Sequence, residues 1–313
     1  MNHYSSYGLR IRSAVTLPEF PRAKAPAEAV DVEIRRASVD PVPESVSGTG
    51  IRRLEAEPAA CRLTYDGIGS FLVEEGRRIL FDSVTERDPP RKVVRRLFAN
   101  EIMGLVLHQR GELVVHASAV AVDDRAAVFL GPQGAGKSTT AAAFHELGYT
   151  TLEDDLVGIR LESGRPVVVP GVPEIRLLPD AIDALDVDGT SRPEEIGDSE
   201  KRYKRIDATA DPVSLSRCYV LSDGDELALE PVPPRDRVVE LIARTYTGGL
   251  LDETGATADN FRSCSTITEE TPFLALSRPR DHDRLPELVE LVARDLRRDE
   301  DPRSVEHSSR IDR

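Results

Sequence analysis

Apolar and polar positions alternate with period two through most of the first 88 residues. The stretches GLRIRSAV, DVEIRRASV, CRLTYDG, GSFLVEE and RRILFDSV carry β-forming residues and are separated by Pro, Gly and Asp. That pattern predicts a strand-rich N-terminal part over residues 1–88. The section 38-SVDPVPESVSGTG-50 reads as a loop. After 86-ERDPP-90 the period changes. In 91-RKVVRRLFANEIMGLVLHQRG-111, Val94, Leu97, Phe98, Met103, Leu105 and Val106 recur at helical spacing and Gly111 supplies a stop. ELVVHASAVAV then reads as one strand, 123-DDR-125 as a turn and AAVFL as the second strand of a hairpin.

A helix is predicted from 136 to 147, ending at Gly148. YTTLEDDLVGIRLES and RPVVVP read as two strands about a Ser-Gly turn, and 173-PEIRLLPDAIDAL-185 as a strand and a short helix. SRCYVLSD and ELALEPV follow as strands, and 236-DRVVELIARTY-246 and 285-LPELVELVARDLRR-298 as helices. The polar section 186–200 reads as a mobile loop and the tail 299–313 as disordered. The order of elements predicts an α/β core over 89–298.

Composition narrows the classes. The chain has 313 residues, 40% of them hydrophobic, and a formal net charge of −14. It is long enough for a sizeable core, and too acidic for a broad nucleic-acid surface. No apolar run is long enough to cross a membrane as a helix, and the N-terminus lacks the layout of a secretory signal. The cysteines, Cys61, Cys218 and Cys264, are outside metal-ligand spacing and read as reduced thiols of a cytoplasmic protein. Lysine stands only at 24, 92, 137, 201 and 204, which singles out Lys137 and the cluster 201-KRYKR-205.

The strongest chemical signal is 131-GPQGAGKST-139. Gly131–Ser138 matches the phosphate-binding pattern G-x-x-x-x-G-K-[ST], after an apolar strand and opening a helix. Gly131, Pro132, Gln133, Gly134, Ala135 and Gly136 would wrap phosphates with backbone N–H groups, joined by Thr139 and the helix dipole. Lys137 would reach the β- and γ-phosphates of ATP, and the Ser138 hydroxyl would hold Mg²⁺. Asp154 and Asp155 follow the strand after this helix, so they return to the same end of the sheet. A carboxylate there either ligates the metal or accepts a proton from an attacking hydroxyl. His116 precedes the loop; by spacing alone it is as readily a core histidine as a functional one. The Asn-Lys-x-Asp guanine reader, the transporter-ATPase signature and the eukaryotic kinase motifs are absent from the sequence.

Residues 113-LVVHASAVAVDDRAAVFLGPQGAGKSTTAAAFHELGYTTLEDDLVGI-159 resemble the kinase core of the HPr kinase/phosphorylase family. The shared pattern is a histidine, the Gly-Lys-Ser loop, a helix and an Asp-Asp pair. The resemblance implies a mixed-sheet fold akin to phosphoenolpyruvate carboxykinase, ATP and Mg²⁺ as co-substrate and cofactor, and an oligomeric state. It implies that Asp155 takes the proton of a substrate serine, that His116 belongs to the catalytic site, and that Glu174 is a further metal ligand. Arg202 or Arg205 of KRYKR would supply an arginine near the γ-phosphate, unless that stretch is a solvated basic loop. EIRLLPD stands where the family has E-I-R-G-L-G-I, and the family's later Arg-Pro-Gly-Arg-Asn element is missing. Phosphorolysis, and HPr itself as substrate, are therefore not expected. The expectation is an ATP-dependent serine kinase acting on a protein or peptide. A small-molecule kinase and a nucleotide-binding regulator without turnover are the alternatives.

Overall fold

The computed structural model describes residues 1–24, 29–46, 48–49, 51–191 and 200–298. The predicted tail 299–313 and most of the predicted loop 186–200 lie outside the described residues. Two large sheets, both mixed, organise the chain. The first is built from β1 (Asn2–Ser6), β2 (Leu9–Ser13), β3 (Val32–Arg36), β4 (Gly48–Thr49), β5 (Arg52–Ala56), β6 (Ala60–Tyr65), β7 (Gly69–Glu74) and β8 (Arg78–Ser83), in the order β1-β2-β3-β8-β7-β6-β5-β4. β2–β3 and β3–β8 are parallel pairs, and the others are antiparallel. Its apolar face packs on α1 (Lys92–Leu97) and α2 (Met103–Gln109), which are joined through a wider helical turn at Phe98–Ile102. Phe98 is fully buried with its ring edge-on to Phe81, centroids 5.0 Å apart.

The second sheet holds β9 (Leu113–Val115), β10 (Ser118–Val122), β11 (Arg125–Leu130), β12 (Thr150–Asp154), β13 (Val157–Glu162), β14 (Arg165–Val169), β17 (Val213–Asp223), β18 (Ala228–Pro231) and β19 (Phe273–Arg278). Between them, β15 (Glu174–Leu177) and β16 (Arg202–Arg205) form a separate two-stranded ribbon. β11, β17 and β19 run parallel, whereas β10 is antiparallel to both β11 and β12. Successive residues of β10 and β11 point to opposite faces, and both faces are covered. Ala119, Ala121, Ala126 and Val128 meet α5 (Pro234–Ala243) and α6 (Thr257–Glu270). Val120, Val122, Ala127 and Phe129 meet α3 (Lys137–Glu146) and α7 (Leu285–Arg297). Burial on both sides explains why these strands read as continuous apolar runs. α4 (Pro179–Ala184) completes the helices. Among the described residues no helix is long and apolar enough to cross a membrane.

Three sequence readings need correction. ELVVHASAVAV is not one strand: it breaks at His116–Ala117 into β9 and β10, which pair with different partners. The segment through 153-EDDL-156 likewise breaks into β12 and β13, with Asp155 at a positive φ of 94°. The two breaks face each other, since Asp155 N–H donates to the Ala117 carbonyl at 2.9 Å. KRYKR is not a loop; Arg202–Arg205 is β16, in register with Glu174–Leu177. α6 and β19, which the polar run TADNFRSCSTITEE and the short PFLALSR concealed, complete the second sheet and its helical cover.

Candidate functional site

Strand direction gathers the chemistry at one edge. The C-terminal ends of β11, β12, β17 and β19 and the N-terminal end of β10 lie together, the usual position for a ligand in an α/β sheet. The loop from Gly131 to Gly136 leaves β11 and feeds α3. Gly136 takes φ 84° as the residue capping α3, and a Cβ there would overlap the Arg278 guanidinium, so both backbone and space require glycine. A cavity of about 790 Å³ opens over this loop, and Gln133, Gly134, Gly136, Lys137, Ser138 and Thr139 line it.

Lys137 is buried, and its ammonium donates to the Gly131 and Pro132 carbonyls at 3.0 and 3.1 Å. Burial lowers its pKa; Arg244 lowers it further, and Asp154 and Asp155 counter the effect. Asp154 ends β12 and is 4% exposed. Its carboxylate accepts from the Ser118 hydroxyl at 2.6 Å and from Arg176 N–H at 2.8 Å, and the Ser138 hydroxyl lies near enough to favour its charged form. Burial raises its pKa, and these hydrogen bonds offset part of the rise. Ser138 and the first aspartate thus face the same cavity.

Asp155 behaves differently. Its Oδ1 lies 2.9 Å from His116 Nδ1 and its Oδ2 accepts from Arg176 at 2.6 Å. Burial pushes the carboxyl up, but the His116 hydrogen bond and the Arg176 and Lys201 charges outweigh it and hold it well below the usual carboxylate range. His116 reaches this position because the chain breaks there. Its backbone N–H leaves the sheet to donate to the Arg244 carbonyl at 2.8 Å, and its side chain is 39% exposed at the cavity wall. Under the site, Glu153 is 3% exposed and accepts from Val172 N–H at 2.7 Å and from Asp154 N–H at 3.1 Å, beside the buried Tyr7 ring. Burial and the neighbouring Asp154 charge push its carboxyl well above normal, and the two backbone N–H bonds counter part of that rise. Tyr7 belongs to the first sheet's β1–β2 turn, which ties that sheet to the floor of the site.

The loop, Lys137, Ser138, Asp154, Asp155 and His116 therefore share one cavity. Glu174 does not line it. Its carboxylate is ion-paired with Arg96, whose guanidinium stacks 3.5 Å from the Tyr203 ring centroid. Arg202 does not line it either: it stands opposite Leu177 in β16, while Arg205 donates to the Pro18 carbonyl at 2.6 Å. The cations that do line it are Arg176, Lys201, Arg278 and Arg280 beside Lys137, facing Asp154, Asp155, Asp180 and Glu200. In a chain of net charge −14, that near-balance is a strong local reversal suited to phosphates. Arg278 and Arg280 were hidden because β19, which carries them to this edge, is short and lacks a strong alternating pattern. Ser118 was hidden because small residues around it read as plain strand.

No protein-family model matches the chain, and no curated protein does. Among solved structures, the HPr(Ser) kinase/phosphatase from Coxiella burnetii is similar over 60% of this chain and 99% of that one. The identity is 12% and the TM-score 0.33.

Proposed function

We propose that the protein is an ATP-dependent phosphotransferase that moves the γ-phosphate to a serine hydroxyl of a protein or peptide. The observation that carries this reading is the convergence of Lys137, Ser138 and Asp154 on one cavity onto which Asp155, bound to His116 and Arg176, also opens. The loop amides and Lys137 bind the phosphates, and Lys137 leaves its loop carbonyls to do so. Ser138 and Asp154 offer oxygen donors, and Mg²⁺ takes one or two protein oxygens and completes its shell with phosphate and water. Ser138 and Asp154 would hold it, and when bound it neutralises charge on the phosphate oxygens.

In the transfer, the serine oxygen bonds to the γ-phosphorus as the bond to the β–γ bridging oxygen breaks, and the hydroxyl proton passes to the protein. Asp155 orients the hydroxyl and receives that proton. A carboxylate held so low is a weak base, which is adequate for a loose transition state that needs positioning more than early deprotonation. Arg176 and Lys201 balance the charge that builds on the transferred group. Because both Asp155 oxygens already accept hydrogen bonds, a second assignment exchanges the roles, with Asp155 orienting His116 as the proton acceptor. His116→Gln then abolishes transfer while Asp155→Asn only slows it.

The test of the proposal is incubation of the purified protein with γ-labelled ATP and cell lysate. Acid-stable label on serine of a protein or peptide is expected, lost with Lys137→Ala. Label confined to small molecules would replace the acceptor class, and absence of transfer with ATP still bound would replace the enzyme with a nucleotide sensor.

A further inference from the structure

The sheet order β12-β10-β11-β17 with β19 on β17 gives the cavity two flanks. Asp154, Asp155 and His116 stand on the β12–β10 side of the phosphate loop. On the other side, Arg278 ends β19 in register with Asp223 at the end of β17. Arg278 is 8% exposed, yet it has no carboxylate partner among the described residues. Its guanidinium donates to the Ala135 carbonyl at 2.6 Å and more weakly to Pro279 O at 3.4 Å. Asp223, the acid whose charge reaches it, is already clasped by Arg280 through two contacts of 2.9 Å. A buried cation resting on carbonyls alone is costly unless an anion completes it. The space it fills is the one a Cβ on Gly136 would take, directly against the N-terminus of α3.

We infer that Arg278 is a nucleotide-binding residue that grips the phosphates remaining on the leaving nucleotide, the α- and β-phosphates of a nucleoside triphosphate, from the flank opposite Asp155. The inference rests on the proposed phosphotransfer and gives the cavity a polarity. The nucleotide body lies toward β19 and the acceptor hydroxyl toward β12. A planar guanidinium offers a forked pair of donors to phosphate oxygens, and its bond to Ala135 O fixes that fork relative to the loop. Arg280 and His282 continue the same wall outward.

The rival role is a brace that only holds the loop in shape through Ala135. ADP titration of the full chain separates the two, together with thermal melting of the wild type, Arg278→Lys and Arg278→Gln. Lysine keeps a charged donor of similar reach, whereas glutamine keeps an amide donor but no charge and ends two atoms short of the Ala135 contact. A phosphate contact predicts a graded loss of ADP affinity, at least threefold for lysine and at least tenfold for glutamine. The salt dependence should become shallower for glutamine, and neither variant should melt earlier than the wild type. If the glutamine variant does not fold, the lysine step decides alone. Unchanged ADP affinity across the series overturns the inference, as does an affinity loss that tracks a falling melting temperature. A wild type that binds no ADP overturns the proposed function itself, and this inference with it; a wild type that binds with a flat series overturns this inference only.

Discussion

Replacing Arg176 by Met tests the electrostatics of the site most sharply. The guanidinium lies 2.6 Å from Asp155 Oδ2, with side-chain exposures of 22% and 12% for the two partners. Removing one partner of a buried pair costs about 3–5 kcal/mol, because the other charge is left uncompensated. Here His116 still holds Oδ1 at 2.9 Å, so the low end applies, about 3 kcal/mol. Methionine keeps aliphatic bulk beside the Tyr203 ring. In a chain of 313 residues about 3 kcal/mol corresponds to a fall of roughly 5 °C in Tm. Asp155 has a depressed folded pKa, so its contribution is present above the unfolded value of about 3.9 and is lost as pH falls through the folded value. Without Arg176 the carboxyl pKa rises. The deficit of the variant is therefore full at pH 7.5 and narrows as pH falls through that raised value. Urea denaturation at pH 7.5 and 4.5 measures both quantities. A deficit under about 1 kcal/mol, or one that widens toward acid, would refute the reasoning.

Other outcomes follow from single contacts. Gly136→Ala places a side chain at φ 84°, a strain of about 1–2 kcal/mol, and displaces Arg278; melting temperature and ADP affinity should both fall, and a normal value of either would remove that contact from the account. Tyr7→Phe deletes a fully buried hydroxyl that donates to the Ala99 carbonyl and should cost about 0.5–1.5 kcal/mol, read by urea denaturation, with no loss meaning the hydroxyl is dispensable. Burial pushes the Cys61 thiol up to about 11 and Cys264 up to about 12, and all three cysteines are buried and free. An aromatic disulfide reagent at pH 8 should label none of them in the native protein and all three after denaturation; rapid native labelling would contradict the burial.

How much of this was legible in the sequence differs element by element. The loop was plain, because strand, glycines and Gly-Lys-Ser are contiguous and each has a local physical reason. The N-terminal strands were plain as well, since Ile11, Ile34 and Leu63 alternate with polar residues, Phe71, Val73, Ile79 and Phe81 recur with period two, and all are buried. The breaks at His116 and Asp155 were not legible. His116 lies in an apolar run and Asp155 between two β-forming segments, each of which reads as a continuous strand locally, and only the change of pairing partner bends them. Those breaks turn His116 and Asp155 toward one cavity. The placement of Glu174 and Arg202 could not be read either: a ribbon formed across a gap of 24 residues, β15 with β16, points one toward Arg96 and aligns the other with Leu177. Arg278 depended on the strand register of β19 with β17, a pairing with no local signature.

On the proposed function, one cavity binds ATP through the Lys137 loop and directs its γ-phosphate through Asp155. Measuring ATP affinity and γ-label transfer side by side, for the wild type and Asp155→Asn, tests it most directly. The account predicts ATP affinities within about threefold of each other and transfer reduced at least 100-fold in the variant, on the order of the usual contribution of a positioned proton acceptor. Equal transfer by both proteins, or no ATP binding by the wild type, would contradict it.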